Sequence, residues 1–195
     1  DISKLDILAL QKELTTSISE RTSNKAITLL RAMFNRAIDW DIWDKKNPTQ
    51  GTKKYQEKAR ERYLTEQEEA SFFTALEKVS SLTMKTFYMM LFYTGARRGE
   101  LMPMKWSDIH TENNITFWRA EQSKTGNTKT TPIMGRAVKL IQELKEYNLM
   151  LGYDGDYVFY SEASKKKFLQ SPQGTWEKLC KSAEIENLRM HDIRH

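Results

Sequence analysis

The chain has 195 residues, which is enough for one or two folded domains. Its hydrophobic content of 39% and charged content of 29% exclude wholesale disorder, and its longest apolar run, at residues 87–93, is too short to cross a bilayer. A formal net charge of +5 favours a polyanionic partner, and the single cysteine, Cys180, excludes an internal disulfide and a cysteine-rich zinc site.

The first 51 residues predict a small helical module. Ile2, Leu5 and Leu8 mark a short amphipathic helix. A stronger helix follows Thr22 and Ser23, either of which can cap its first turn. Its apolar residues recur at helical spacing over about four turns. They are Ala26, Ile27, Leu30, Met33, Phe34, Ala37 and Ile38.

The end of this module and a basic stretch follow. Three bulky residues are expected to complete the packing: Trp40, Ile42 and Trp43. Pro48 and Gly51 end the helical pattern. Residues 52–61 are polar and basic, without apolar periodicity, and predict a linker.

The next stretch predicts two helices. Thr65 and Glu68 have the spacing of a capping box, in which each side chain bonds the backbone N–H of the other residue. The helix that they open places four apolar residues on one face: Phe72, Phe73, Leu76 and Val79. A second helix is expected over residues 82–93 and ends at Gly95, because glycine readily adopts the left-handed conformation that closes helices.

After Trp106 the pattern changes from helical to alternating. Residues 115–118 and 130–133 predict two antiparallel strands that are joined by a turn-rich tip at residues 123–127. Three further elements are expected: a helix at 136–149, a short strand at 157–159 and a helix at 171–183. The first of these helices directs four residues inward: Val138, Ile141, Leu144 and Leu149. The predicted fold class is therefore mainly α with a small antiparallel β-sheet.

A first arginine motif follows the predicted helix at 82–93. Residues 94–101 read T-G-A-R-R-G-E-L, so Arg97 stands just after Gly95. A guanidinium suits a phosphate, because its planar fork donates two parallel hydrogen bonds and keeps its charge. Glu100 could orient Arg97 from behind. The alternative is a surface arginine with a solvated glutamate as its neighbour.

A second motif lies at residues 191–195, where His191 and Arg194 share one face of a helical turn. A histidine beside an arginine can hydrogen-bond a phosphate oxygen and carry a proton at neutral pH. The alternative is a packed helix with a satisfied histidine. Lys124, at the hairpin tip, could give a proton to a leaving hydroxyl, with Lys129 as the competing candidate and an ordinary surface lysine as the alternative.

The order T-G-x-R-x-x-E-L, a hairpin lysine and then H-x-x-R resembles the tyrosine recombinase (phage integrase) family. Asp192 and His195 also fit the family's H-D-L-R-H form, with Ile193 in place of leucine. The resemblance implies that residues 1–51 are the carboxy-terminal part of a helical core-binding, DNA-binding domain. Residues 62–195 would be an integrase-like catalytic domain that stops before the family's nucleophilic tyrosine, with the basic linker 52–61 between them.

The resemblance also implies residue roles. The implied catalytic residues are Arg97, Lys124, His191 and Arg194, with Glu100 and His195 in support. The two arginines would clamp the scissile phosphate, the histidine would assist proton transfer, and the lysine would protonate the leaving 5′ oxygen. Cations in or next to the linker are expected to lie along DNA phosphates, unless the linker is simply solvated. These cations are Lys53, Lys54, Lys58, Arg60 and Arg62.

The implied activity is that of a site-specific DNA recombinase, or integrase, which cuts and rejoins double-stranded DNA through a 3′-phosphotyrosyl intermediate. The complete protein would self-associate as a tetramer on DNA, without a cofactor, a metal or a membrane, in the cytoplasm and on the nucleoid of a bacterium. The 195 residues alone would not cleave DNA. Three other functions stay open: a non-cleaving DNA-binding regulator on an integrase-like scaffold, a type IB topoisomerase, and a helical protein-interaction domain.

Overall fold

The computed structural model of the chain describes residues 1–57, 60–121, 128–133 and 135–194, with Glu121 and Arg194 described by their backbone only. The chain divides into two compact units, Asp1–Glu61 and Arg62–His195. In the described ranges, no helix has both the length and the apolar character needed to cross a membrane.

The first unit contains two packed helices, α1 (Lys4–Ser17) and α2 (Glu20–Asp39). The N-cap of α2 is Ser19, whose hydroxyl accepts the Thr22 N–H at 3.2 Å, so the predicted caps Thr22 and Ser23 are wrong. Ser23 is instead buried, and its hydroxyl donates to a carbonyl of α1 at 2.9 Å. This serine therefore joins the two helices rather than starting one of them.

The apolar core of the first unit is small. Ile7, Ile27 and Phe34 are buried, and Leu30 and Trp43 pack against them. The packing prediction is wrong for several other residues, because two helices cover only a narrow stripe of each other. The apolar residues that are exposed instead are Ile2, Leu5, Leu8, Met33, Ile38, Trp40 and Ile42.

The beginning of the predicted linker lies against these helices. The Gln11 side-chain amide donates to the Lys53 carbonyl at 2.8 Å. The Asn24 side-chain amide exchanges two hydrogen bonds with the backbone of Tyr55, both at 2.9 Å. Polar side chains thus satisfy the backbone of this stretch, which is why it needs no apolar periodicity.

The second unit is larger and contains both helices and strands. Its described helices are α3 (Glu66–Glu77), α4 (Leu82–Thr94), α5 (Arg98–Leu101), α6 (Arg136–Met150) and α7 (Gln173–Ser182). Its described strands are β1 (Ile109–Glu112), β2 (Ile115–Glu121) and β3 (Thr128–Ile133). They form an antiparallel sheet in the order β1-β2-β3, and two 3-10 turns lie at Trp106–Asp108 and Asp192–Arg194. The predicted class, mainly α with a small antiparallel sheet, is confirmed.

Helix α4 is the centre of the core in this unit. Its residues 86–91 are all buried. It packs against α6 and β3, and it contacts the turn Asp192–Arg194. Helix α3 packs against α7, with the rings of Phe72 and Trp176 at 5.7 Å between centroids. The loop that follows α4 is therefore anchored by the most buried helix of the unit.

Local sequence signals predicted several of these elements correctly. The capping box of α3 is confirmed, since the Glu68 N–H donates to the Thr65 hydroxyl at 3.2 Å and the Thr65 N–H donates to the Glu68 carboxylate at 3.0 Å. Gly95 ends α4 with a φ of 57°, as predicted. The strands predicted at 115–118 and 130–133 lie within β2 and β3, and they pair antiparallel.

Two predictions in this unit are wrong, and one strand was missed. Strand β1 was not predicted. Residues 157–159 do not form a strand, because Tyr157 makes only an isolated bridge and the fully buried Val158 donates its N–H to the Met104 carbonyl at 2.9 Å. Leu149, which was predicted to point inward, has 55% of its surface exposed near the end of α6.

Candidate active site

The loop after α4 holds Arg97 in a fixed place. Gly95 adopts the left-handed conformation, and its N–H donates to the Leu91 carbonyl at 3.0 Å, which closes the helix. Ala96 is buried, and its N–H donates to the Thr94 hydroxyl at 3.2 Å. Arg97 therefore follows two residues whose backbones are fixed, immediately before the single-turn helix α5.

Arg97 and Glu100 form an ion pair at the surface. Arg97 Nη1 donates to Glu100 Oε1 at 2.7 Å, and the Arg97 N–H donates to Oε2 at 3.2 Å. Burial is the largest influence on the pKa of Glu100 and raises it, but the hydrogen bonds from Arg97 leave that pKa below its ordinary value. The carboxylate therefore stays charged at neutral pH, and it orients an arginine side chain that is 61% exposed.

Strand β3 brings a lysine into electrostatic range of this pair. Lys129 lies opposite Ala120 in the sheet, and its charge also helps to lower the pKa of Glu100. Lys124, the first candidate from the sequence, lies outside the described residues. The end of β3 next to the hairpin tip thus lies within electrostatic range of Glu100, while the role of Lys124 stays a prediction.

The turn that carries His191 is fixed by hydrogen bonds and by burial. The Arg189 N–H donates to Asp192 Oδ2 at 2.9 Å, and the Asp192 N–H donates back to the Arg189 carbonyl at 2.9 Å. Asp192 is buried, and Ile193 packs against the core. His191, which directly precedes Asp192, is exposed. The fixed backbone therefore presents the histidine at the surface.

The turn that carries the second motif contacts the helix that precedes the first motif. The turn Asp192–Arg194 contacts α4, and Arg97 stands three residues after the end of that helix. The side chain of Arg194 and the whole of His195 lie outside the described residues. That the four predicted catalytic side chains meet around one phosphate therefore stays a prediction.

Arg62 was predicted to contact DNA phosphates, but its guanidinium is engaged within the second unit. Nη1 donates to Glu68 Oε2 at 2.9 Å and to the Tyr63 carbonyl. Nη2 donates to Glu68 Oε1 at 2.6 Å and to the Glu186 carbonyl at 3.1 Å. Each terminal nitrogen carries two hydrogens, so all four of these N–H groups have acceptors. Arg62 therefore has a structural role, and its contact with DNA stays a prediction.

The other predicted phosphate contacts are consistent with either solvent or a polyanion. Lys53, Lys54 and Arg60 are exposed, and Lys58 lies outside the described residues. Their contact with DNA stays a prediction. The sequence reading missed the Arg62–Glu68 pair, although the position of an arginine shortly before a capping glutamate was a signal that could have pointed to it.

Comparisons with known proteins agree with the fold and the motifs. The model for the phage integrase family matches residues 62–195. The ICEBs1 integrase of Bacillus subtilis (strain 168) is 28% identical over 100% of this chain and 59% of its own length. The integrase of Escherichia phage P2 is 29% identical over 80% of this chain and 44% of its own length. The chain thus spans about half the length of the curated relatives it matches.

Solved structures share the fold at low sequence identity. A lambda integrase (75–356) dimer bound to a COC′ core site has a TM-score of 0.76 at 22% identity, over 100% of this chain and 71% of that one. The XerH recombinase bound to its difH substrate has a TM-score of 0.77 at 16% identity, over 100% of this chain and 58% of that one. These structures bear on the fold alone. Since the family model covers the whole second unit, and with it most of the sequence, the chain belongs to the phage integrase family.

Proposed function

We propose that this protein is a site-specific DNA recombinase, which in its full-length form cuts and rejoins duplex DNA through a 3′-phosphotyrosyl intermediate. The observation that carries the proposal is the Arg97–Glu100 pair, whose exposed guanidinium stands just beyond the helix that the His191 turn contacts. An exposed arginine that a carboxylate orients is suited to bind a phosphate. Membership of the phage integrase family supports the same function.

In the proposed reaction four side chains act on one DNA phosphate. Arg97 and Arg194 neutralise the non-bridging oxygens while a tyrosine oxygen attacks the phosphorus. His191 assists proton transfer at the nucleophile, and Lys124 protonates the 5′ oxygen as its bond to phosphorus breaks. The phosphotyrosyl bond conserves the energy of the phosphodiester, so a 5′ hydroxyl can later attack it and rejoin the strands without ATP.

The nucleophile is expected outside the printed sequence. None of its eight tyrosines follows His191, whereas the family resemblance places the nucleophile after H-x-x-R. We infer that the tyrosine is supplied in cis by further residues or in trans by a neighbouring subunit. Positioned cations lower the barrier only for a nucleophile that is present, so these 195 residues alone are expected to form no covalent adduct with DNA.

In this proposal the first unit adds affinity for DNA. Residues 1–51 would be the carboxy-terminal part of a core-binding domain, and the exposed Lys53, Lys54 and Arg60 would bind phosphates. Lambda integrase has been solved as a dimer on a core site and as a tetramer bound to a Holliday junction. These structures support duplex DNA as the partner and self-association in the full-length protein. DNA binding would place the protein on the bacterial nucleoid.

The experiment begins with duplexes recovered from a random-sequence pool by repeated binding to the chain. The chain should retard the selected duplex at low salt, with affinity that falls steeply as the salt concentration rises. It should leave no adduct on a denaturing gel. A longer polypeptide that includes the tyrosine should form the adduct with a nicked suicide substrate, and Arg97→Ala should reduce its yield about a hundredfold or more.

Arg98→Ala is the matched control, because it removes the same charge from the neighbouring exposed residue. Equal losses in the two variants would contradict the role of Arg97. A folded chain that binds no DNA at low salt would favour a protein-interaction domain. An adduct formed by the 195 residues themselves would mean that an internal tyrosine is the nucleophile, and relaxation of plasmids without the selected site would favour a topoisomerase.

A further inference from the structure

Arg62 links the start of the second unit to the segment that carries His191. Its guanidinium holds both carboxylate oxygens of Glu68, which is also the residue that caps α3. The same guanidinium donates at 3.1 Å to the carbonyl of Glu186, which lies 124 residues later in the sequence. Only 22% of the Arg62 side chain is exposed. One side chain thus joins the first turn of α3 to the loop after α7.

The loop after α7 has a backbone that other contacts must hold in place. Glu184 and Asn187 have φ values of 56° and 55°, in the left-handed region that few residues other than glycine adopt. The Glu186 carbonyl that accepts from Arg62 lies between these two residues. Further along, the Trp176 indole N–H donates to the Leu188 carbonyl at 3.0 Å. Strained conformations of this kind persist where surrounding contacts hold them.

The charge of Arg62 also acts on the turn itself. The hydrogen bond to Glu68 is the main cause that raises the pKa of Arg62, and the negative charge of Asp192 raises it further. Asp192 is buried and caps the turn through the Arg189 N–H. Arg62 therefore acts at two points, on a carbonyl before His191 and on the carboxylate next to it.

We propose that Arg62 is a positioning residue for His191, holding residues 186–192 so that the imidazole faces the phosphate bound by Arg97. The inference rests on the proposed function, because it assumes that this segment serves phosphodiester chemistry. Arg62 itself touches no substrate. It acts through the Glu186 carbonyl and through the charge of Asp192.

The test compares the 195-residue chain with its Arg62→Gln variant by NMR. Two readouts report on the turn: hydrogen exchange of the Arg189 amide, which bonds the Asp192 carboxylate, and the imidazole resonances of His191. We expect exchange at Arg189 to accelerate by about tenfold or more relative to the amides of α4, because the turn loosens while the core stays folded. The His191 resonances should move, and those of His110 on β1 should not.

Arg119→Gln is the matched control. Arg119 also pairs with a glutamate, with its Nη2 at 2.9 Å from Glu112 Oε1, but this pair lies on the sheet. Its loss should change neither readout. Arg62→Lys should show smaller changes than Arg62→Gln in both readouts. An ammonium keeps the positive charge, but it cannot bind the Glu68 carboxylate and the Glu186 carbonyl at the same time as a guanidinium does.

If Arg62→Gln does not fold, the same measurements are made on Glu68→Gln. Glutamine at position 68 still caps α3, but it has no negative charge to pair with Arg62. The expected result is the same faster exchange at Arg189. A uniform acceleration over the turn and α4, or unchanged His191 resonances in a folded variant, would overturn the proposal, because Arg62 would then contribute only to general stability.

A DNA arm separates this proposal from the proposed function. A short DNA duplex added at low salt should shift the His191 resonances of the wild-type chain and shift them less in Arg62→Gln. If the His191 resonances of the wild-type chain do not shift when duplex is added, the proposed function of the site is contradicted. A normal response to duplex in a folded Arg62→Gln chain, with an unchanged turn, would contradict only the positioning role.

Discussion

Arg97 Nη1 and Glu100 Oε1 are 2.7 Å apart, and the same carboxylate also accepts the backbone N–H of Arg97 at 3.2 Å. The glutamate thus fixes both the main chain and the side chain of the arginine. Because 61% of the arginine side chain is exposed, the pair adds little to the stability of the fold. Its main consequence is a cation held in one direction at the surface, which is what binding of a phosphate requires.

The left-handed conformation of Gly95, which closes α4 before Arg97, should make an alanine at this position destabilising. A Cβ at this position would meet no atom within 4 Å, so the cost of Gly95→Ala comes from the left-handed φ of 57° alone. We expect the free energy of unfolding to fall by about 1 kcal/mol, measured by urea unfolding. Gly174→Ala is the control, since Gly174 lies within α7 and also has free space around a Cβ. That variant should be neutral or slightly more stable, and equal destabilisation of both variants would contradict the expectation.

The Arg62–Glu68 pair should make stability depend on pH in the acid range. The hydrogen bond from Arg62 is the main cause that lowers the pKa of Glu68 from 4.5 to about 2. A carboxyl whose pKa is lower in the folded state stabilises the fold above its unfolded pKa, and the contribution is lost as the pH falls through the folded value. Glu68→Gln should therefore lower the free energy of unfolding by about 1 kcal/mol at neutral pH.

That difference between wild type and Glu68→Gln should shrink as the pH falls from 4.5 towards 2. Urea unfolding at a series of pH values measures it. Glu112→Gln is the control, because the side chain of Glu112 is 59% exposed in its pair with Arg119 and should matter little at any pH. If the difference in free energy of unfolding between wild type and Glu68→Gln stays constant over this pH range, ionisation of the Glu68 carboxylate is not the cause of that difference.

Local signals in the sequence predicted the elements that depend on local chemistry. The capping box of Thr65 and Glu68 and the left-handed Gly95 could be read directly, because each involves residues a few positions apart. Strand β1 could also have been found. Asn113 and Asn114 both have positive φ values, 49° and 62°, and asparagine tolerates the left-handed conformation that the tight turn of a hairpin requires.

Other features depend on tertiary contacts that a single sequence does not reveal. Residues 157–159 are an apolar run, and a buried loop and a buried strand give the same pattern. Trp40 and Ile42 are exposed because the first unit has only a small apolar core, which does not reach them. Arg62 bonds to the carbonyl of Glu186, which lies 124 residues away in the sequence. The sequence shows only a cation next to a basic linker, and this pattern predicts phosphate binding.

The exposed lysines after the first helical module should contribute to DNA affinity without sequence preference. Replacing Lys53 and Lys54 with glutamine should weaken binding to selected and unrelated duplexes alike, and it should reduce the slope of log affinity against log salt by about 2. Gel shifts across a salt series measure the slope. The control exchanges the exposed Lys165 and Lys166 for glutamine, which changes the net charge equally. Equal slopes for both variants would indicate an effect of net charge only.

The most direct measurement is a scan of the selected duplex in which each phosphate in turn is replaced by an uncharged methylphosphonate. Wild-type affinity should fall most at one position. Alanine variants of the four proposed catalytic residues should each lose their sensitivity at that same phosphate, while they keep it at the flanking ones. These residues are Arg97, Lys124, His191 and Arg194. Variants that lose sensitivity at different phosphates, or at none, would contradict the claim that the four side chains act on a single phosphodiester.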